Sequence, residues 1–136
     1  MAWAVVGATT TGAWRPHWEA LVTHLQGSVP ADGTVLVLAD RGLYARWLYR
    51  HIQTLGWPPF LRINQGGQCR PLEQDRCRPL TSVAPQVGTR WSGQVDCFVR
   101  AHSRLRCTLL ACWDAPHADP WLIVTDLPPE VADCAW

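Results

Sequence analysis

The sequence predicts an α/β protein whose second half turns over to antiparallel β-structure. Three observations carry that expectation. Residues 14–64 alternate helical and strand patterns, residues 64–80 are a polar stretch broken by Gly and Pro, and three strand-like runs follow it, separated by short turns. A hydrophobic share of 48% is normal for a folded globular chain and excludes general disorder. No apolar run approaches the ~20 residues needed to cross a bilayer, so no membrane partner is expected. The N-terminal MAWAVVGATTTGAW has no basic segment, so no signal peptide is expected.

The first helix is expected over Trp14 to Gln26. Trp14, Trp18, Leu21, Val22 and Leu25 recur at helical spacing, Pro16 suits a first turn, and Gly27 can close the helix. The run Val35 to Ala39 is wholly apolar, the pattern of a strand covered on both faces. Leu43 to Leu55 reads as a second helix with Leu43, Trp47, Leu48, Ile52 and Leu55 as its buried stripe. Gly56 ends it, and Phe60 to Asn64 reads as the next strand. Helix, strand, helix, strand in that order predicts a parallel strand pair with a helical crossover. The later strands are expected over Gln94 to Arg100, Leu105 to Trp113 and Trp121 to Thr125, and a last helix starts at Pro128 or Pro129.

Charge is unevenly distributed. All twelve basic residues are Arg, and seven of them lie between 70 and 106 against three acids (Glu73, Asp75, Asp96). From 107 onward there are five acids and no Arg. A basic middle beside an acidic end is either a phosphate-facing surface or a set of charges spread over solvated faces. The six cysteines show no CxxC and no zinc spacing, so free, mostly buried thiols are expected. The nine Trp fall mostly at core-facing positions and read as packing.

Asp40 is the residue with the most chemistry. In α/β sheets ligands bind beyond the carboxyl ends of strands, and Asp40 stands at such an end with Arg41 and Gly42 behind it. Gly42 permits a tight turn or close approach. A carboxylate there can coordinate a hard divalent cation. It can equally cap the following helix or pair with Arg41. Arg62, on the next strand, either points into the same cleft or pairs with an acid.

The string VLVLADRGLYARWLYRHIQTLGWPPFLRIN resembles the second-aspartate segment of DDE transposases from bacterial insertion sequences. In that family an apolar strand ends in Asp-Arg-Gly, a helix follows, then a Gly-aromatic turn and a strand carrying Arg. DPWLIVTDLPPEVADCAW is similar to the family's late strand, Trp-x-x-x-Thr-Asn/Asp-Leu-Pro, and AWAVVGATTTGAWRPHW to the segment between its first two aspartates. The resemblance implies part of a ribonuclease-H-like core at 1–64, a β-rich insertion at 65–120, and a return to the core at 121–136. It implies that the chain stops before the helix bearing the catalytic Glu in Tyr-x-x-Arg-x-x-x-Glu.

The resemblance makes Asp40 the catalytic, metal-holding second carboxylate of three that bind Mg²⁺. It makes DNA the partner, with Arg41, Arg62, Arg70, Arg76 and Arg78 as candidate DNA contacts and a dimer in the transposition complex. It implies a cytoplasmic, nucleoid-associated bacterial protein. Asp32 lies in a PADG turn and Glu130 precedes the expected signature, so neither is read as a second catalytic carboxylate. The function implied is a fragment of an enzyme of DNA cleavage and strand transfer, inactive alone. The alternative is a non-catalytic nucleic-acid-binding protein derived from a transposase. A small α/β ligand-binding domain, in which Asp40 binds a sugar or nucleotide hydroxyl, is disfavoured because no Gly-rich phosphate loop accompanies the strand–helix turn.

Overall fold

The computed structural model describes residues 14–30, 32–98 and 104–134. Of the segment 2–18 that resembles the first-to-second-aspartate region, residues 2–13 lie outside the described residues, as do 99 and 100 of the strand expected over Gln94 to Arg100.

The chain is mixed α/β. In order it forms α1 (Arg15–Gln26), β1 (Val37–Ala39), α2 (Arg46–Thr54), β2 (Pro59–Arg62), β3 (Gln68–Pro71), β4 (Arg78–Pro79), a 3₁₀ turn at Leu80–Ser82, β5 (Arg90–Cys97), β6 (Leu105–Cys112), β7 (Trp121–Thr125) and α3 (Pro129–Cys134). Among the described residues seven strands make one open sheet in the order β1-β2-β7-β6-β5-β3-β4. Of these, β1 and β2 pair in parallel and every other neighbouring pair is antiparallel. β3 to β6 therefore continue, through β7, the same sheet that holds the parallel pair.

Period-two alternation sorts the strands into two faces. One face carries Leu61, Ile63, Val95, Cys97, Cys107, Leu109, Ala111, Leu122 and Val124, and the helices cover it with Val22 from α1 and Leu48, Tyr49 and Ile52 from α2. The other face carries Phe60, Leu110 and Ile123, on which Ala132 of α3 packs. Thr108 and Thr125, both buried on that second face, secure the turn into α3. The Thr108 hydroxyl donates to the Leu127 carbonyl at 2.5 Å, and the Thr125 hydroxyl accepts from the Leu127 N–H at 3.3 Å. The α2 side is tied to the same turn by Gln53, whose amide donates to Asp126 at 3.0 Å.

Four local expectations need correction. β1 is three residues long and lies at the sheet edge, with exposure alternating along it and Leu38 73% exposed. Its apolar run is written for two covered faces, yet among the described residues only the α2 side is covered. The second helix starts at Arg46, not Leu43, because residues 40–43 close a turn (Leu43 N–H to the Asp40 carbonyl, 2.9 Å) and Ala45 is extended. Residues 64–80, whose composition reads as a loop, hold two short strands and the start of a 3₁₀ turn. Cys69 and Leu80 are fully buried there, and Pro79 is tolerated because β4 is an edge strand. β5 begins at Arg90, four residues before Gln94, because it pairs with β6 along eight residues, from Arg90↔Cys112 to Cys97↔Leu105.

Geometry requires glycine at several positions, of which Gly56 and Gly93 shape the elements around the site. Gly56 sits at φ 76°, and the bonds Gly56 N–H to Gln53 O and Trp57 N–H to Ile52 O close α2 as a left-handed C-terminal motif. Gly93 has the Trp91 indole lying over it, so that an added Cβ would come within 2.8 Å of the ring.

The α2 core residue Tyr49 is fully buried, and its hydroxyl finds no hydrogen-bond partner among the described residues. Burial also drives its ionisation far upward, so it stays a neutral phenol. An unmet buried hydroxyl costs about 1–3 kcal/mol. Tyr49→Phe is therefore expected to stabilise the protein by ~1 kcal/mol, raising Tm by roughly 3–5 °C. A fall in Tm on thermal unfolding would show that the hydroxyl is satisfied.

Candidate nucleic-acid interface

Parallel pairing places Ala39 beside Leu61, so the next residues out, Asp40 and Arg62, come side by side at the carboxyl ends of β1 and β2. The Arg62 Nη1 donates to Asp40 Oδ1 at 3.2 Å. The two ends of this pair differ in freedom: the Asp40 side chain is 73% exposed and that of Arg62 only 16%. Arg62 is held from behind by Trp121, over whose ring its guanidinium carbon lies at 4.1 Å. Trp121 reaches it because β7 runs antiparallel to β2 with Arg62 opposite Ile123, and Trp121 and Ile123 share a face. These residues line a hollow of about 250 Å³ with Leu38 and Phe60. The Arg41 backbone N–H and the Arg62 guanidinium hold the Asp40 carboxyl below the ordinary aspartate range, against a smaller opposing effect of burial. An exposed, solvent-screened pair of this kind adds little to fold stability; its consequence is to orient the two groups.

The two structural alternatives for Asp40, a helix cap and a pair with Arg41, are thereby set aside. It does not cap α2, whose N-cap is Ala45, and its side-chain ion-pair partner is Arg62, not Arg41. Arg41 instead faces Asp119 at 3.6 Å. Gly42 has an ordinary φ and open space around it, so neither turn strain nor crowding requires glycine there.

The other candidates divide between the two faces. Arg70 lies on the Asp40 face and is bound to Asp96 (2.7 Å), whose side chain is wholly buried. Arg106, which the sequence did not single out as a site residue, takes the other oxygen of Asp96 at 3.0 Å and is 67% exposed. Cross-strand register explains the trio: Asp96 sits opposite Arg70 on one side and Arg106 on the other. The two guanidinium groups, Arg106 first, hold Asp96 ionised below its usual range despite its burial. Arg90 is opposite Cys112 and so on the same face. Arg76 is exposed in the bend between β3 and β4. Arg78 is opposite Cys69 on the other face and lies over the Trp91 ring at 5.3 Å. The Asp40 face thus collects Arg62, Arg70, Arg90 and Arg106. The signal that would have found Arg90 and Arg106 is their even spacing from Asp96 along β5 and across to β6. The signal for Trp121 is its place two residues before Ile123.

The described residues do not by themselves supply a ligand set for a pair of Mg²⁺ ions. Among the described residues no three His, Cys, Asp or Glu side chains converge as a metal-binding group, and Asp40 is already in contact with a guanidinium. Two divalent ions repel strongly and need several convergent carboxylates. The five described-side-chain cysteines are free thiols, four of them buried. Among the described residues no helix is long and apolar enough to cross a membrane. No family model, curated protein or solved structure matches the chain.

Asp96 generates a pH prediction. Its folded pKa is depressed, so its contribution to stability is present above the unfolded value of 3.8 and is lost as pH falls below it. Asp96→Asn is expected to cost about 1–3 kcal/mol at neutral pH, from lost hydrogen bonds to charged groups. It is also expected to flatten the acid side of the stability curve. Urea midpoints at neutral and acid pH measure both effects; a mutant with the wild-type acid slope would show that other carboxylates set it.

Proposed function

We propose that the chain is the second-aspartate portion of a DNA strand-transfer enzyme of the insertion-sequence transposase type, and that by itself it is a non-catalytic DNA-binding unit. The observation that carries this reading is Asp40 at the carboxyl end of the parallel strand β1, directly before a turn and helix, with Arg62 beside it from the next strand. That arrangement has the order of the Asp-Arg-Gly, helix, Gly-aromatic turn and Arg-bearing strand seen in the transposase resemblance. It supports a ribonuclease-H-like role for the parallel pair. α3, which starts after Leu-Pro and packs on the Asp40 face, is consistent with the same plan.

The side chains gathered on this face suit phosphate contact rather than hydrolysis. Arg62 and Arg41 flank Asp40, and Arg70, Arg90 and Arg106 extend positive charge along the same face. Four of these five arginines are held to carboxylates, which fixes their positions and moderates the field. Binding should therefore be weak and independent of sequence, with phosphate contacts dominating. With Asp40 as its lone candidate carboxylate, the described part of the site offers no ligand set for Mg²⁺-dependent cleavage.

The test is duplex DNA binding by the 136-residue chain at several salt concentrations. The logarithm of affinity should fall linearly with the logarithm of salt, and Arg41→Ala with Arg62→Ala should reduce that slope by about 2. Asp40→Asn removes the carboxylate that competes for Arg62 and is expected to leave binding intact or tighten it. No Mg²⁺-dependent nicking is expected from the wild-type chain. Salt-independent affinity would overturn the phosphate reading. Nicking that Asp40→Asn leaves unchanged would overturn the role given to Asp40.

A further inference from the structure

We infer that Cys69 and Cys97 form a thiol-modification site, at which a peroxide closes a cross-strand disulfide that latches the edge strands β3 and β4 to β5. Strand pairing puts the two residues directly opposite each other. The rung on one side of them carries a hydrogen bond from the Phe98 N–H to the Gln68 carbonyl at 3.1 Å. Farther along the same ladder the Leu72 N–H donates to the Gln94 carbonyl, also at 3.1 Å. Hydrogen-bonded rungs alternate with non-hydrogen-bonded ones in an antiparallel pair, so the Cys69/Cys97 rung is of the second kind. On such a rung opposed Cα atoms lie only about 4.5 Å apart, with the side chains at their closest. That separation is inside the range of roughly 4.4–6.8 Å found for disulfide-linked residues. Both thiols are free, and both residues are fully buried on the helix-covered face. A bridge therefore needs no change of register.

The neighbours select which pair closes. Arg78 of β4 lies opposite Cys69, on the side away from Cys97. Burial, and less so the charge of Cys97, push the Cys69 thiol up; the Arg78 guanidinium opposes them by charge and hydrogen bond. Cys69 is thus the thiol with a cation beside it, and the thiolate is the form that attacks an oxidant. Cys107 on β6 stands opposite Val95 and is only diagonal to Cys97. Its hydrogen bond to Cys97, then burial, keep its proton on well above the ordinary thiol range, so it stays a thiol. Cys77 is exposed and precedes β4, outside the ladder.

Access comes from the sheet edge. β4 has two residues and β3 four, and short edge elements open at lower free energy than the body of a sheet. On opening, the Cys69 thiolate attacks hydrogen peroxide. The S–O bond forms, the O–O bond breaks, and the departing hydroxide takes up the proton that Cys69 released, leaving a sulfenic acid and one water. The Cys97 sulfur then attacks the Cys69 sulfur. The S–S bond forms, the S–O bond breaks, and the hydroxide leaves with the Cys97 proton as a second water. The two thiols lose two electrons and the peroxide gains them. This chemistry sits on the face opposite Asp40 and is independent of the function proposed above.

The experiment treats the folded 136-residue chain with hydrogen peroxide, removes the excess with catalase, and alkylates the remaining thiols with N-ethylmaleimide in denaturant. Trypsin leaves the Arg-Pro bonds at 70 and 78 uncut, so Cys69, Cys77 and Cys97 fall on the separate peptides 63–76, 77–90 and 91–100, and Cys107 on the peptide after Arg106. Mass spectrometry is expected to find 63–76 joined to 91–100, with dithiothreitol releasing both. Cys77→Ser and Cys107→Ser should give the same link, and Cys97→Ser should leave Cys69 open to alkylation. Circular dichroism checks that each variant folds, and the wild-type map decides the pairing even where one does not. Oxidised Cys77→Ser is expected to unfold roughly 5–15 °C above its reduced form. A link from 91–100 to the Cys107 peptide, a link from 63–76 to 77–90, or alkylation of both Cys69 and Cys97 after Cys77 is fully oxidised would overturn the site. A lower Tm on oxidation would overturn the latch. Salt-independent DNA affinity, which counts against the proposed function, leaves the thiol result standing.

Discussion

The structure depends on the register of β6. Seven of its eight residues are buried, it pairs with β5 along its whole length and with β7 along five residues, and it divides the core into two faces. Leu109 and Ala111 go to the helix-covered side, Leu110 to the side of α3. A slip of one residue would exchange these sets, placing Arg106 and Thr108 in the larger core. The same register passes outward. β6 fixes β7, β7 fixes β2, and β2 fixes β1, so that Trp121 meets Arg62 and Arg62 meets Asp40. Two contacts, 22 positions apart for Asp40–Arg62 and 59 for Arg62–Trp121, are thus set by a strand that is not a sheet neighbour of β1 or β2.

Strong periodicity made much of this fold legible. β7 is present as read, Trp121 to Thr125, because an apolar run bounded by Pro and by Asp-Leu-Pro leaves little latitude. α1, α2 and β6 were recognisable for the same reason, with ends shifted by one to three residues. What was not legible is where neighbours lie. The Val35 to Ala39 run has the composition of an interior strand, but position in a sheet is a tertiary property, and β1 is at the edge. β3 and β4 were invisible because short edge strands rich in Pro, Gln and Arg carry no alternation of their own. Their pairing comes from β5, which offers Cys97 and Asp96 opposite Cys69 and Arg70.

The candidate site was half legible. Asp40 and Arg62 could be picked from their places at strand ends, but that they face each other required the β1–β2 register. The clustering of arginines in 70–106 was a poorer guide, because β-structure distributes a run of charges by parity. Arg70 and Arg106 share Asp96 on one face while Arg78 lies over Trp91 on the other. Density of charge in sequence is therefore not density of charge on a surface.

Whether an arginine can meet a phosphate depends on what already holds it. Asp96 is buried and doubly bonded, so Arg70 and Arg106 are anchored at one end; drawing either wholly away would leave part of a buried carboxylate unpaired, which is costly. Arg62 differs, because its acid is the exposed partner and can turn to water while the guanidinium stays on Trp121. Arg106 retains a largely exposed guanidinium and can offer its remaining donors without leaving Asp96. The face of the sheet is thus graded: Arg62 can exchange its partner, Arg106 can share, and Arg70, the less exposed of the Asp96 pair, is fixed. The sheet face itself therefore mixes two kinds of charge: arginines pre-positioned and partly neutralised by carboxylates, and Arg90, which no carboxylate holds among the described residues; the first favours orientation of a bound anion, the second long-range attraction that weakens with salt.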